Sequence, residues 1–279
     1  MTITLAVKSK DTVWFGADTR AHVKDTLHGY QHVPGPQRKI IPLQSVSDDA
    51  SPSLRNAAVT YAGTHEPTLL KGMVQVGALA EPNRTTPWLL AQCSSADKNK
   101  QIDELGTMYM CAGFEPDGLP FVSRTTLRTK TLTFACGDDW QPHFGDEKFG
   151  VDINGIDEVV DWLFRASGQD LIKLYRNFLR SGHSEEDREF VCAFSRTLRD
   201  YKEHDVSWDS LRSSEVAAII RGILRVTSIL NCLGDIRSIV SNRRPNTPIT
   251  YSGPPFELGT IRREQGFEWY GSLEPDSEK

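Results

Sequence analysis

The sequence predicts an α+β fold in which antiparallel sheets carry helices on their outer faces, and three observations lead there. The first twenty residues alternate apolar and polar positions and then turn back, the pattern of a hairpin with one buried face. Residues 57–61, 107–112, 120–127 and 130–136 repeat that β-rich texture, and Glu115–Gly118 between two of them has the residues a tight turn demands. In the second half the apolar spacing changes to threes and fours, the period of helices that bury one side. The resulting order is four strands, two helices, three strands, a set of helices and closing strands, which antiparallel sheets covered by helices satisfy.

In the opening hairpin, Ile3, Leu5 and Val7 alternate with Thr2, Thr4, Ala6 and Lys8. Lys8–Asp11 is a polar turn, and Thr12–Ala17 returns as a β-branched and aromatic strand ending in Asp18-Thr19-Arg20. Residues 22–37 hold Gly29, Pro34, Gly35 and Pro36 and read as a loop. His22, His28 and His32 crowd it, but they lack helical spacing and a cysteine or carboxylate frame, so a surface loop explains them better than a metal site. Lys39-Ile40-Ile41 is the third strand, residues 44–56 a Ser- and Asp-rich loop, and Ala57–Tyr61 a fourth strand running into Gly63.

Helical spacing then covers Glu66 to about Ala80, with Leu69, Leu70, Met73 and Val74 on one side and Pro67 in the first turn. A second helix is expected over Pro87–Leu105, before the strands Thr107–Ala112, Pro120–Leu127 and Lys130–Cys136. Residues 137–158 are acidic. Asp152-x-Asn154-Gly155 lacks the twelve-residue calcium frame, so a solvated loop is the reading. Helices follow over Ile156–Leu179, over Ser184–Tyr201 with acids in its first turn, and over Ser213–Cys232 with Val216, Ile219, Ile220 and Ile223 on one face. Asn242–Asn246 stops the helices. Thr250–Ile261 reads as a closing strand whose Gly253-Pro254-Pro255 suggests an edge or a bulge. The stretch from Glu274 on is a charged tail.

Composition narrows the function classes. Hydrophobic residues make up 38% and charged residues 25% of the 279-residue chain, which is the balance of a soluble globular protein with a sizeable core. A net charge of −5 with no long Lys/Arg run argues against a nucleic-acid protein. No apolar run reaches the roughly 18 residues of a membrane span, and no signal-peptide pattern is present. Five scattered cysteines, never in a Cys-x-x-Cys, read as reduced thiols, so a cytoplasmic protein is expected.

The chemistry concentrates at the start. Thr2 is small enough for Met1 to be trimmed away, which would leave a free α-amine beside the threonine hydroxyl. That hydroxyl is a poor nucleophile until a base takes its proton, and an N-terminal amine with a reference pKa of about 7.7–8.0 can be that base. The opening Thr2-x-Thr4, the strand ending in Ala17-Asp18-Thr19-Arg20-Ala21, the later Arg38-Lys39-Ile40-Ile41 and the Ala62-Gly63 turn together resemble the proteasome β-subunit family of N-terminal-nucleophile (Ntn) hydrolases. The likeness is specific over residues 2–21, 38–41 and 57–63, and beyond residue 65 it lies mainly in element order.

The resemblance implies a four-layer αββα sandwich of two antiparallel sheets in one domain spanning residues 1–279; the helical stretch exceeds what that family needs and reads as an added insertion at about 180–212, and the charged end reads as a disordered tail at about 272–279. It implies Thr2 as nucleophile, Asp18 and Lys39 as its catalytic partners, Arg20 beside them, and the Gly63 N–H as oxyanion donor. His22 and Tyr61 fall where the family lines its substrate pocket. The expected activity is cleavage of peptide or amide bonds through an acyl-enzyme on Thr2, with no metal and no cofactor. A ring-shaped homo-oligomer is implied, and an ATPase partner is left open. The pattern also departs from the family. His22 stands where active subunits usually carry threonine. Cys136-Gly137-Asp138-Asp139 replaces a Gly-Ser-Gly-Ser, and Ile249 stands in place of an aspartate ahead of Tyr251-Ser252-Gly253-Pro254. Those serines and that aspartate normally support the terminal amine. Two alternatives therefore stay open beside the peptidase: an Ntn amidase acting on a small amide, and a noncatalytic structural subunit.

Overall fold

The computed structural model describes residues 3–9, 11–20, 22–25, 29–32, 35–45, 56–62, 108–114, 117–126, 131–136, 151–155, 184–204, 206–231 and 253–271. They form a mixed α+β structure with two five-stranded antiparallel sheets. The first sheet has the order β10-β1-β2-β11-β12, from β1 (Ile3–Ser9), β2 (Thr12–Asp18), β10 (Val151–Gly155), β11 (Phe256–Arg262) and β12 (Gly266–Trp269). The second runs β5-β6-β7-β8-β9, from β5 (Ile40–Pro42), β6 (Ala57–Ala62), β7 (Met108–Phe114), β8 (Pro120–Thr126) and β9 (Thr131–Cys136). A separate two-stranded ribbon pairs β3 (His22–Asp25) with β4 (Gly29–His32). Two long helices follow, α1 (Glu185–Glu203) and α2 (Ser213–Asn231).

Strand periodicity sorts the first sheet's side chains between two cores. Ile3, Leu5, Val7, Trp14 and Leu258 join the α1 and α2 residues Val191, Leu198, Val216, Ile220, Ile223 and Leu224 in one cluster. Ala6, Val13, Phe15, Ala17 and Ile261 join Ile40, Ala58, Met110, Ala112, Phe114 and Val122 of the second sheet in another. The first sheet is thus covered by helices on one face and by the second sheet on the other, so both faces of β1 and β2 are buried. Polar groups are satisfied across the seam: the Thr60 hydroxyl donates to the Thr4 hydroxyl at 3.0 Å, fully buried.

The helices start where their sequences say they should. Ser184 Oγ accepts the Asp187 N–H at 3.1 Å, ahead of Glu185, Glu186 and Asp187 in the first turn of α1. At α2 the Glu215 carboxylate reaches back to the Arg212 N–H at 2.8 Å, a capping-box contact. The helices meet where Gly222 lets the Phe194 ring close onto α2, and Arg225 lies over Phe190 at 4.2 Å while pairing with Glu186 at 3.0 Å. Among the described residues no helix is long and apolar enough to cross a membrane.

Gly16 leaves room for α2 against the sheet: a methyl group there would lie 2.5 Å from Ile220 Cγ2. Gly16→Ala is therefore expected to lower unfolding stability by about 1–3 kcal/mol through overpacking. Urea denaturation checks this, and an unchanged midpoint would count against the close contact.

Several sequence expectations are corrected. The segment 22–37 is not all loop, because residues 22–25 and 29–32 form the β3–β4 ribbon, with His22 opposite His32. Its glycines, prolines and histidines hid a short pairing that needs little apolar content. Within the acidic stretch 137–158, residues 151–155 are not a solvated loop but β10, paired with β1 from Val7↔Val151 to Ile3↔Gly155. Val151 and Ile153 alternate with Asp152 and Asn154, so the period of two was there beneath the charge. The closing strand is not at an edge: β11 lies between β2 and β12, and its Gly253-Pro254-Pro255 precedes the paired residues. The final strand β12 was missed. The helices expected over 66–80, 87–105 and 156–179 and the tail after residue 272 lie outside the described residues.

Candidate active site

Three chain segments converge at one end of the first sheet. The segment 18–20 leaves β2, 36–40 enters β5, and 253–257 enters β11. Backbone hydrogen bonds knit them: Thr19 N–H to the Pro255 carbonyl at 3.2 Å, and Gln37 N–H to the Thr19 carbonyl at 2.8 Å. The Thr19 hydroxyl adds a bond to the same Pro255 carbonyl at 2.7 Å. The β2–β11 register, which ends with Asp18 opposite Phe256, sets where this junction forms.

Inside the junction Lys39 Nζ lies 2.9 Å from Asp18 Oδ2, with the lysine 2% exposed and the aspartate fully buried. The ammonium also donates to the Arg20 carbonyl at 2.5 Å. The other Asp18 oxygen, Oδ1, accepts the Ile3 N–H at 2.9 Å. One carboxylate thereby ties the lysine to the start of β1, at the residue next to Thr2. Glu257 completes the base of the site. Its Oε1 accepts the Lys39 N–H at 2.6 Å and the Ile40 N–H at 2.7 Å.

Burial dominates the electrostatics. It pushes the Asp18 carboxyl above its ordinary value, opposed by the Lys39 charge, its hydrogen bond and the Ile3 N–H. It pushes Lys39 below its ordinary value, opposed chiefly by Asp18 and further by Glu257. Glu257 is raised to about 7 by burial, against the Lys39 and Ile40 N–H bonds and the charges of Arg38 and Lys39. Tyr61 is raised to about 12 by burial, with the Glu257 and Asp18 carboxylates adding to it. A lysine held this way can stabilise negative charge or exchange a proton at a fixed point, and it is cheaper to deprotonate than a lysine in water.

The folded-state value of Glu257 carries a stability consequence. Between the unfolded value near 4.5 and the folded value near 7, the native state holds a proton that the unfolded chain has released. The associated stability is complete below about pH 4.5, falls as pH rises through that window, and stays low above about 7, a change on the order of 3 kcal/mol. Comparing denaturant unfolding at pH 5 and pH 8 checks it. The drop in the parent protein should shrink in Glu257→Gln, and an equal drop in both would assign the pH dependence elsewhere.

The sequence-derived residues are placed as follows. Asp18, Lys39 and the Arg20 carbonyl meet directly. The Arg20 side chain instead lies against Gly253, where any Cβ would collide with its guanidinium. Together with Thr19, Gly35, Pro36, Pro254 and Pro255 it lines a pocket of about 450 Å³, within the size range of small-ligand sites, to which Asp18 and Lys39 do not contribute. Tyr61 is half-buried on β6 and donates its hydroxyl to the Arg38 carbonyl at 3.1 Å, one residue before Lys39. His22 begins β3. Thr2 and Gly63 lie outside the described residues. Glu257 was missed, although a signal existed: with Gly259 and Ile261 it occupies one face of β11, and Ile261 belongs to the core between the sheets. An acid on a core-facing position of a strand is a candidate for a buried role. No protein-family model and no curated protein matches the chain.

Proposed function

We propose that the protein is an N-terminal threonine hydrolase of the proteasome-like Ntn class, cleaving peptide or amide bonds through an acyl-enzyme on Thr2 once Met1 is removed. The observation that carries this reading is the Asp18 carboxylate, which binds Lys39 Nζ with one oxygen and the Ile3 N–H with the other. A buried lysine is thereby fixed to the strand that begins next to the threonine.

In this reading the Thr2 amine takes the hydroxyl proton and the oxygen attacks the substrate carbonyl. The Gly63 N–H receives the oxyanion, a donor role worth about 3–4 kcal/mol. Collapse expels the amine leaving group, protonated by the Thr2 ammonium, and leaves an ester on Thr2. Water, activated by the same amine, hydrolyses that ester. Lys39 favours the neutral amine and the developing alkoxide through its positive charge, and Asp18 holds the lysine in place. The pocket lined by Arg20 offers room for a substrate group.

The same reading extends the fold to four layers. On the second sheet, Ala57, Val59, Tyr109, Cys111 and Phe121 are buried although they face away from the first sheet. Such a face needs a cover, and the helical spacing of residues 66–80 and 87–105 is of the kind that would provide it. The test is intact mass combined with an epoxyketone probe. Loss of Met1 and a stoichiometric adduct mapped to Thr2 are expected, and a retained Met1 or an adduct elsewhere would overturn the assignment.

A further inference from the structure

We propose that Glu257 is a positioning residue for Lys39, its Oε1 clamping the backbone from which the lysine side chain reaches Asp18. The proposal rests on the threonine-hydrolase reading for its catalytic meaning, while the clamp itself stands on geometry. β5 is the edge strand of the second sheet, so the N–H groups at its start are not all used by sheet pairing. Glu257 projects from the first sheet, and two successive N–H groups, those of Lys39 and Ile40, converge on one of its oxygens at 2.6 and 2.7 Å. The two residues are 218 positions apart, so this contact is what joins the lysine-bearing segment to β11. The side chain is 2% exposed, and its Oε2 has no hydrogen-bond partner among the described residues. Burying a carboxyl this way is costly unless the bonds it does make are needed.

The charged groups that act on it are Lys39 and Arg38 at the entrance to β5, and the Tyr61 hydroxyl on β6 feels its charge in turn. Ionised Glu257 raises the lysine's proton affinity, adding to the effect of Asp18. The carboxyl therefore acts on Lys39 twice, through the backbone it holds and through its charge. The clamp requires only an oxygen at the Oε1 position, and that separates the two effects experimentally.

The experiment uses the full chain with Glu257→Gln, Glu257→Asp and Glu257→Leu. Amide hydrogen exchange at Lys39 and Ile40 is measured beside kcat and KM on a fluorogenic amide, with Thr2→Ala as the control for catalysis. Glu257→Leu should speed exchange of both amides at least tenfold and lower kcat at least tenfold with KM within threefold. Glu257→Gln, which keeps the acceptor but not the charge, should keep exchange within threefold of the parent, and its kcat should fall less than that of Glu257→Leu because only the charge effect is lost. Glu257→Asp keeps the charge but withdraws the oxygen by one methylene, and should behave like Glu257→Leu. It serves in place of that variant should the leucine protein not fold. Unchanged exchange in Glu257→Asp and Glu257→Leu, or lost protection in Glu257→Gln, would overturn the clamp. Lost protection with an unchanged, Thr2-dependent kcat would reduce Glu257 to a structural residue and overturn the positioning role. If the parent shows no Thr2-dependent hydrolysis, the functional reading fails, and the exchange data decide the clamp on their own.

Discussion

Lys39→Met is expected to remove most amide hydrolysis, roughly 10²-fold or more, and to destabilise the fold in the same stroke. The catalytic loss follows from the electrostatics. A positive charge about 4 Å from a developing alkoxide is worth roughly 4 kcal/mol at an effective dielectric near 20. The stability loss follows from burial. Asp18 is fully buried and 2.9 Å from Lys39 Nζ, so deleting the lysine leaves an uncompensated carboxylate, typically a cost of about 3–5 kcal/mol. Protonating Asp18 relieves that cost, so the variant should regain stability as pH falls. Lys39→Arg should not restore activity in full, because a larger planar guanidinium must enter a site where the lysine is 2% exposed. Asp18→Asn should act in the same direction, since the lysine keeps the Arg20 carbonyl but loses its counter-charge. The two losses should not add, because both disable one unit. Single-turnover acylation of each variant and the double variant, with thermal melts at pH 5 and 8, measures all of this. Purely additive losses would show that the two residues do not act as one unit, and a Lys39→Met protein that keeps its rate would show that the pair is structural only.

Thr2→Ala carries the other large effect. It should lower hydrolysis at least about 10³-fold, because no other group on the acyl-transfer path replaces the nucleophile. Its effect on folding should be small, within about 0.5 kcal/mol. The anchor of β1 is the Ile3 N–H bonded to Asp18, a backbone group that the substitution leaves in place. A steady-state assay with a matched thermal melt checks both halves. Turnover within tenfold of the parent would sink the nucleophile assignment.

The elements that were legible in the sequence are those whose burial is continuous. β1 shows a clear period of two and β2 a β-branched and aromatic run, and both faces of each turned out to be covered. α1 and α2 were legible because each buries one stripe and starts on a recognisable cap. The β3–β4 ribbon and β10 were not, because strands of four and five residues give too short a pattern for composition to register. β10 carries a period of two, but its partner is fixed by register: Asp152 is paired with Ala6 of β1, which nothing within 137–158 specifies.

The candidate site divides the same way. Asp18, Arg20 and Lys39 could be named from the sequence because each sits at a strand end within a recognisable string. By itself the sequence determined the two antiparallel β-rich blocks, the amphipathic helices, and the residue types gathered at the start of the chain. Only the tertiary structure decided that Asp18 divides its two oxygens between Lys39 and the Ile3 N–H, and that Glu257 closes on the start of β5. The physical reason is that periodicity fixes which face a side chain takes but not which partner meets it. Partners are chosen by register and by sheet-on-sheet packing, and those depend on residues hundreds of positions away.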